Sequence, residues 1–162
     1  SSWSEWLSGA WRADAAPAHA HAAAASPAVA GVASVAGFTP YRTEVEGRAT
    51  GGLRRLFELH ALLPRLGLFA GRPDEVPYDY DELLAALAPR PTLLHTPTQD
   101  RDASHADARA CIARAAGAWG AQRANLNHTS AETGTRMGHA ETRVLIEWLS
   151  HARARLSVVE SA

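Results

Sequence analysis

Two short runs of apolar residues stand out along the chain because few polar positions interrupt them. The first, VAGVASVAGF over Val29–Phe38, lies between Pro27 and Pro40. The second, over Thr92–Thr96, is followed at once by Pro97. Short continuous runs of this kind are typical of strands buried on both faces of a parallel sheet. The pattern therefore predicts two such strands.

Other hydrophobic positions recur at the three- and four-residue spacing of amphipathic helices. This spacing predicts a helix over 104–119 and a closing helix over 141–156. The apolar face of the first comprises Ala108, Cys111, Ile112, Ala115 and Trp119, and that of the second comprises Val144, Leu145, Trp148 and Leu149. Both helices are expected to pack these faces against the sheet.

Proline and aspartate mark the limits of further predicted helices. Asp79 or Asp81 can cap a helix that ends before Pro89. An alanine-rich run predicts a helix over 19–26, and leucines over 51–69 predict a helix that breaks at Pro64.

The order of these elements alternates helix and strand, which indicates the α/β class. Residues 120–140 are polar and contain glycine, so they predict no strand. An open parallel sheet normally needs more than two strands. We therefore interpret 18–162 as the C-terminal portion of a larger domain and leave 1–17 as an undetermined segment.

Charge and cysteine content exclude several classes of protein. The 162 residues carry a formal net charge of −1, and all 16 basic residues are arginine, so no broad basic face for nucleic acid is predicted. A single cysteine, Cys111, favours a reducing compartment. The sequence shows neither a membrane span nor a signal peptide, which predicts a cytoplasmic protein that does not associate with membranes.

The stretches AGVASVAGFTPYRT and DELLAALAPRPTLLHTPTQDRDASHADAR resemble the C-terminal half of the α/β-hydrolase superfamily. Within it they are similar to the dienelactone hydrolase and acetylxylan esterase-like branch. The resemblance extends from about His19 to about Arg109. It implies a partial α/β-hydrolase fold, the C-terminal half of a mostly parallel sheet with flanking helices, and a Ser-His-Asp triad that needs no cofactor.

The resemblance places the triad acid at Asp100, in the loop that follows the second predicted strand, with Asp102 as the neighbouring alternative. A carboxylate at the carboxyl edge of a parallel strand can orient a histidine, fix its tautomer and stabilise its protonated form. The structural alternative is that these residues are a loop acid and the N-cap of the helix that begins near Ser104.

The same resemblance makes His139, just before the closing helix, the first candidate for the general base, and His128 the second. An exposed loop histidine is the alternative for each. His60 and His95 lie on apolar stretches, which predicts hydrogen-bonded core residues. His19 and His21 lie far from any third ligand, so no metal site is predicted.

The nucleophile of this superfamily stands in a G-x-S-x-G elbow, and the sequence contains no such motif. By position the elbow should fall near residues 11–16, where Ala13 or Asp14 replaces the serine. The nearest serines, Ser4, Ser8 and Ser34, are expected to be structural. Either the first 17 residues are not homologous to the family, which the abrupt boundary favours, or the chain has lost its nucleophile.

Two functions follow. The first is hydrolysis of a small-molecule carboxylic ester, with Asp100 and His139 as the retained acid and base and the segment 44–79 covering the pocket. The second is a non-catalytic or truncated hydrolase-like protein that associates with a partner chain or as a homo-oligomer. Its association surface would be an exposed apolar patch comprising Leu53, Leu56, Leu63, Leu66 and Phe69.

Overall fold

A parallel three-stranded sheet organises the chain. In this computed structural model, residues 16–36, 38–43, 45, 52–54, 57, 63–134 and 137–159 are described. The strands are β1 (Val32–Val35), β2 (Thr92–His95) and β3 (Leu126–Thr129), in spatial order β1-β2-β3. Their register aligns Val32 with Thr92 and Thr92 with Leu126. All three strands therefore end at one carboxyl edge.

The helices that connect and cover these strands are short, apart from the last. They are α1 (Ala16–Ala25), α2 (Gly52–Arg54), α3 (Tyr80–Ala85), α4 (His105–Ala115) and α5 (His139–Val159). Four 3-10 helices supplement them, at Tyr41–Thr43, Pro64–Phe69, Pro73–Glu75 and Ala116–Asn125. Because helices flank a parallel sheet, the predicted α/β class is confirmed.

The third strand, β3, was not predicted. Its sequence, LNHT, contains one apolar residue followed by polar ones, and only Leu126 is buried. β3 lies beside β2, at one side of the sheet, so it needs no continuous apolar run. The structure also shortens the first predicted strand from 29–38 to Val32–Val35, whereas Thr92–His95 matches the prediction to within one residue.

One face of the sheet carries the main hydrophobic core, where α1, α3 and α4 pack together. The face predicted for α4 is confirmed, since all five of its residues are buried: Ala108, Cys111, Ile112, Ala115 and Trp119. They join Val32, Leu94 and Leu126 from the three strands. The burial of apolar area here is the main source of stability.

The N-terminus of α3 is fixed by Asp79, one of the two predicted caps. The Asp79 carboxylate accepts hydrogen bonds from the backbone N–H groups of Tyr80, Tyr41 and Arg42 at 2.7, 2.8 and 3.1 Å. Glu82 completes a capping box by accepting from the N–H of Asp79. One buried carboxylate thus joins α3 to the segment that follows β1.

The association surface predicted from the leucines of 51–69 is wrong. Leu53 and Leu66 are buried in the core, and Leu63 and Phe69 are partly buried against it. Leu56 lies outside the described residues. Leu53 and Leu66 are therefore unavailable to a partner, because the helical spacing that indicated an apolar face serves internal packing at these described positions.

The opposite face of the sheet is covered by α5, which begins at His139 rather than at the predicted residue 141. Up to residue 154, where its side chains are described, Leu145 and Ala152 are the apolar residues of this helix that are buried. Val144, Trp148 and Leu149, which the sequence placed on the same face, are half-buried. This side of the molecule is therefore more open than the core side.

Candidate active site

The predicted acid and base follow neighbouring strands, and their loops run side by side beyond the sheet. The N–H groups of Thr96, Thr98 and Gln99 donate to the carbonyl oxygens of Thr129, Ala131 and Thr133 at 2.9, 2.9 and 3.1 Å. These bonds extend the pairing of β2 with β3 past the ends of both strands. Residues after position 99 and after position 133 therefore start from adjacent points on the carboxyl edge.

Asp100 lies in the first of these loops, where its side chain shapes a turn. Its Oδ1 accepts hydrogen bonds from the N–H groups of Asp102 and Ala103 at 2.8 and 3.2 Å. Asp102 contributes its carbonyl oxygen to a bond from Thr39 at 3.4 Å. Ser104, not either aspartate, is the N-cap of α4, since its hydroxyl accepts from the N–H of Asp107.

His139 is the first residue of α5, which follows the second loop, and its side chain is exposed. Within the described part of the chain, no hydrogen bond or ion pair joins Asp100 to His139. The structure therefore pairs the two loops that lead to these residues, and the assignment of Asp100 and His139 as acid and base stays a prediction.

His128, the second candidate for the base, belongs to β3 and is half-buried. Its Nε2 lies 2.7 Å from the hydroxyl oxygen of Thr96, and its ring is 6.4 Å from the ring of His105. Burial lowers the pKa of His128, and unfavourable electrostatic interactions with His105, His95 and Arg109 lower it further. The imidazole is therefore neutral at pH 7, with one nitrogen engaged by Thr96.

His95, at the end of β2, is buried as predicted but only half hydrogen-bonded. Its Nδ1 lies 2.9 Å from the hydroxyl of Thr129, whereas its Nε2 is buried and, among the described residues, makes no hydrogen bond. Burial lowers the pKa of His95, and the carboxylate of Glu141 partly opposes that effect. A histidine that ends an apolar strand at the carboxyl edge was the sequence signal for this position.

Glu141 is the residue of this edge that sequence reasoning missed. Its carboxylate is buried and accepts hydrogen bonds from the N–H of Gly138 at 2.9 Å and from the hydroxyl of Thr133 at 3.0 Å. Hydrogen bonds from its own backbone N–H and from Gly138 hold the pKa of this carboxyl below its usual range, against the effect of burial. The spacing Gly-x-x-Glu at a helix start was the available signal.

No nucleophile of the elbow type occurs among the described residues. Ser34 is buried in the middle of β1, where it pairs with Leu94, so it does not stand on a strand-to-helix turn. Ser4, Ser8, Ala13 and Asp14 lie outside the described part of the chain.

Of the described non-glycine residues, only Ala36 has a positive φ, +94°. This strained position follows β1 directly, at the candidate edge.

A groove of about 300 Å³ runs between the sheet and α5. Thr129, whose hydroxyl contacts His95, lies in its wall, together with Leu93 and the half-buried Trp148. None of the described residues of 44–79 lines this groove. Because much of 44–62 lies outside the described residues, the prediction that this segment covers a pocket stays a prediction.

The described residues form neither a metal-binding cluster nor a membrane-spanning helix. No group of three or more histidine, cysteine, aspartate or glutamate side chains is arranged to hold a metal ion. None of the described helices combines the length and the apolar character needed to cross a bilayer.

Comparison with known proteins connects this fold to an esterase. No family model matches the sequence, and no curated protein does. A solved structure described as a promiscuous CE15 esterase from a marine bacterial metagenome matches with a TM-score of 0.61 at 17% sequence identity. The match covers 85% of this chain but only 39% of that esterase. That structure has the α/β-hydrolase fold, so the predicted hydrolase-like fold is confirmed.

Proposed function

We propose that this chain is the acid- and base-bearing portion of a carboxylic ester hydrolase of the dienelactone hydrolase and acetylxylan esterase-like branch. The observation that carries the proposal is the pairing of the two loops beyond β2 and β3. One loop contains Asp100 and the other leads to His139. The likeness of the fold to a protein described as an esterase supports it.

In the proposed reaction a serine hydroxyl attacks the ester carbonyl, and His139 removes the serine proton. His139 then returns this proton to the leaving alcohol, and water repeats the cycle on the acyl-enzyme. Asp100 orients the imidazole and stabilises its protonated form. The serine must come from outside the described residues, and the exposed ring of His139 must turn toward Asp100. Catalytic hydrogen bonds often form only when substrate is bound.

A second candidate function, a non-catalytic hydrolase-like protein, has its own supporting observation. The Oδ1 of Asp100 already accepts two backbone hydrogen bonds, which is a structural task. The buried Ser34 offers no exposed nucleophile. A chain of this kind would act through association with another protein, by a surface other than the leucines that the structure buries.

A fluorophosphonate probe followed by peptide mass spectrometry tests the ester hydrolase directly, since it labels an activated serine. Turnover of p-nitrophenyl acetate by Asp100→Asn and His139→Gln then tests the acid and the base. Each change should lower kcat by about 10³-fold to 10⁴-fold. Asp74→Asn, at an exposed position that does not line the groove, is the matched control.

The outcomes separate the two functions. A labelled serine together with loss of turnover in both site variants supports the ester hydrolase. A folded chain without labelling or turnover supports the non-catalytic alternative. Full turnover in Asp100→Asn would show that the acid has been assigned to the wrong residue.

A further inference from the structure

Glu141 is a charged residue that is almost completely buried, with 4% of its surface exposed. Glutamate is rarely buried to this extent unless its charge is paired or hydrogen-bonded. Here the two carboxylate oxygens are engaged separately. Oε2 accepts from the N–H of Gly138 at 2.9 Å, and Oε1 accepts from the hydroxyl of Thr133 at 3.0 Å. One side chain thus holds two separate points of the connection between β3 and α5.

The first of these points leads to the acid loop. The carbonyl oxygen of Thr133 accepts a hydrogen bond from the N–H of Gln99 at 3.1 Å, and Gln99 directly precedes Asp100. The bonds from Glu141 to Thr133 and from Thr133 to Gln99 therefore connect the start of α5 to the loop that carries the proposed acid.

The second point leads to the proposed base. Gly138 directly precedes His139, and its carbonyl oxygen accepts from both the N–H and the hydroxyl of Thr142, at 3.0 and 2.8 Å. The N–H and the carbonyl of Gly138 are thus both held by the first turn of α5. The backbone from which the His139 side chain projects has little freedom to move while these bonds are intact.

The glycine at position 138 is an independent indication that this contact is close-fitting. A Cβ atom built on Gly138 would lie 2.9 Å from Oε2 of Glu141, closer than real Cβ contacts allow. Any other residue at 138 would displace the carboxylate. The backbone of Gly138 and the end of the Glu141 side chain are thus in close contact, and a Cβ at this position would require the carboxylate to shift.

We propose that Glu141 is a positioning residue, which sets the placement of His139 relative to the Asp100 loop. This inference rests on the proposed ester hydrolase. Glu141 does not touch substrate in this role; it acts through Gly138 on one side and through Thr133 on the other. Because a misplacement of about 1 Å in a catalytic group can cost about 10²-fold in rate, loss of this link should lower kcat and leave KM nearly unchanged.

The experiment compares Glu141→Gln with Glu75→Gln, an exposed glutamate of the 3-10 helix Pro73–Glu75 that does not line the groove. Glutamine keeps the size of the side chain but offers one acceptor oxygen instead of two, so one of the two bonds is lost. A second pair acts from the other end: Thr133→Val removes the hydroxyl without changing shape, and Thr133→Ser restores it. For each variant we would measure p-nitrophenyl acetate turnover and the amide exchange of Gln99 and Gly138 by NMR.

Glu141→Gln and Thr133→Val should each lower kcat by about 10-fold to 100-fold. KM should stay within twofold, and the Gly138 or Gln99 amides should exchange faster. Glu75→Gln and Thr133→Ser should behave as wild type. A kcat loss in Thr133→Val that Thr133→Ser does not show identifies the hydrogen bond itself as the cause, rather than a general loss of packing.

Two results would overturn the inference. If Asp100→Asn and His139→Gln abolish turnover but Glu141→Gln and Thr133→Val keep full kcat, the ester hydrolase stands and the positioning role is wrong. If the wild-type chain has no turnover, the proposed function fails. Amide exchange then tests separately whether Glu141 links the two loops. Unchanged exchange at both Gln99 and Gly138 would then overturn the link, and faster exchange would support it as a property of the fold.

Discussion

The two faces of the sheet differ in what they bury. The face covered by α1, α3 and α4 buries aliphatic and aromatic side chains, among them Leu84, Leu94 and Trp119. The face covered by α5 buries fewer apolar groups. Toward the carboxyl edge of the sheet, this face also buries the polar side chains of His95 and Glu141. Apolar burial stabilises without further conditions, whereas buried polar groups need partners.

This difference indicates where stability and where chemistry reside. The stability of a buried hydrogen-bond network is sensitive to the loss of any one partner, because the remaining group is then left unpaired away from water. Such a network also holds its members in defined positions, which catalysis requires. Substitutions on the core side should therefore change the free energy of unfolding most, and those on the α5 side should change pH dependence and activity more than stability.

The largest expected effect tests this contrast with two tryptophans, one on each face. Trp119 is 1% exposed, and its indole N–H donates to the carbonyl of Arg90 at 3.1 Å. Trp119→Ala should lower the free energy of unfolding by about 3–5 kcal/mol, because it leaves a cavity and an unpaired carbonyl. Trp148→Ala, at a half-buried position on α5, should cost about 1–2 kcal/mol. Urea denaturation of both variants measures the difference, and equal losses would contradict it.

The next effect concerns the one buried carboxylate that anchors the core side. Asp79 is 1% exposed and accepts hydrogen bonds from three backbone N–H groups, those of Tyr41, Arg42 and Tyr80. Asp79→Ala leaves these donors unpaired and should cost about 2–4 kcal/mol. Asp74→Ala changes an exposed aspartate of the nearby 3-10 helix and serves as the control. Thermal unfolding of both would refute the anchoring role if their midpoints shifted alike.

The contrast between the faces also explains which parts of the fold the sequence could predict. The face of α4 was predictable residue by residue, because Cys111 and Ile112 repeat at helical spacing with Ala108 and Ala115 and meet an apolar core. The cap at Asp79 was predictable as one of two alternatives. β3 was not predictable, since LNHT places a single apolar side chain in a strand beside β2. Pairing with β2, not local preference, makes it a strand.

The candidate site was only partly predictable, for a related reason. The resemblance to the hydrolase family, and not a local pattern, suggested Asp100 after the second strand and His139 before the closing helix, and the structure pairs the two loops that lead to them. The role of Glu141 depends on the path of residues 129–138, which no periodicity describes. The half-satisfied His95 looked like an ordinary core position because its neighbours in β2 are apolar. Hydrogen bonds between distant loops decide such positions, and they leave little trace in local sequence.

The smallest expected effect is a pH dependence that belongs to the α5 side. Burial lowers the pKa of His95 in the folded chain, so the unfolded chain takes up a proton first, near pH 6.5. Above pH 6.5 His95 is neutral in both states and does not change the free energy of unfolding. As the pH falls through 6.5 toward the lower pKa of the folded state, the unfolded chain binds the proton more readily, and the free energy of unfolding decreases. Glu141 on α5 opposes this loss, whereas His128 on β3 has a lowered pKa too and adds to it.

Between pH 7.5 and 5.5 the wild-type chain should lose unfolding free energy through His95, because the folded pKa lies below the unfolded one. His95→Gln, which does not titrate but can still hydrogen-bond Thr129, should show a correspondingly smaller loss over the same range. His151→Gln, at an exposed position on α5, should keep the wild-type slope. Urea titrations of the three proteins at both pH values measure these slopes. If His95→Gln and wild type lose the same stability, the buried histidine carries no acid sensitivity, and His128 becomes the group to replace next.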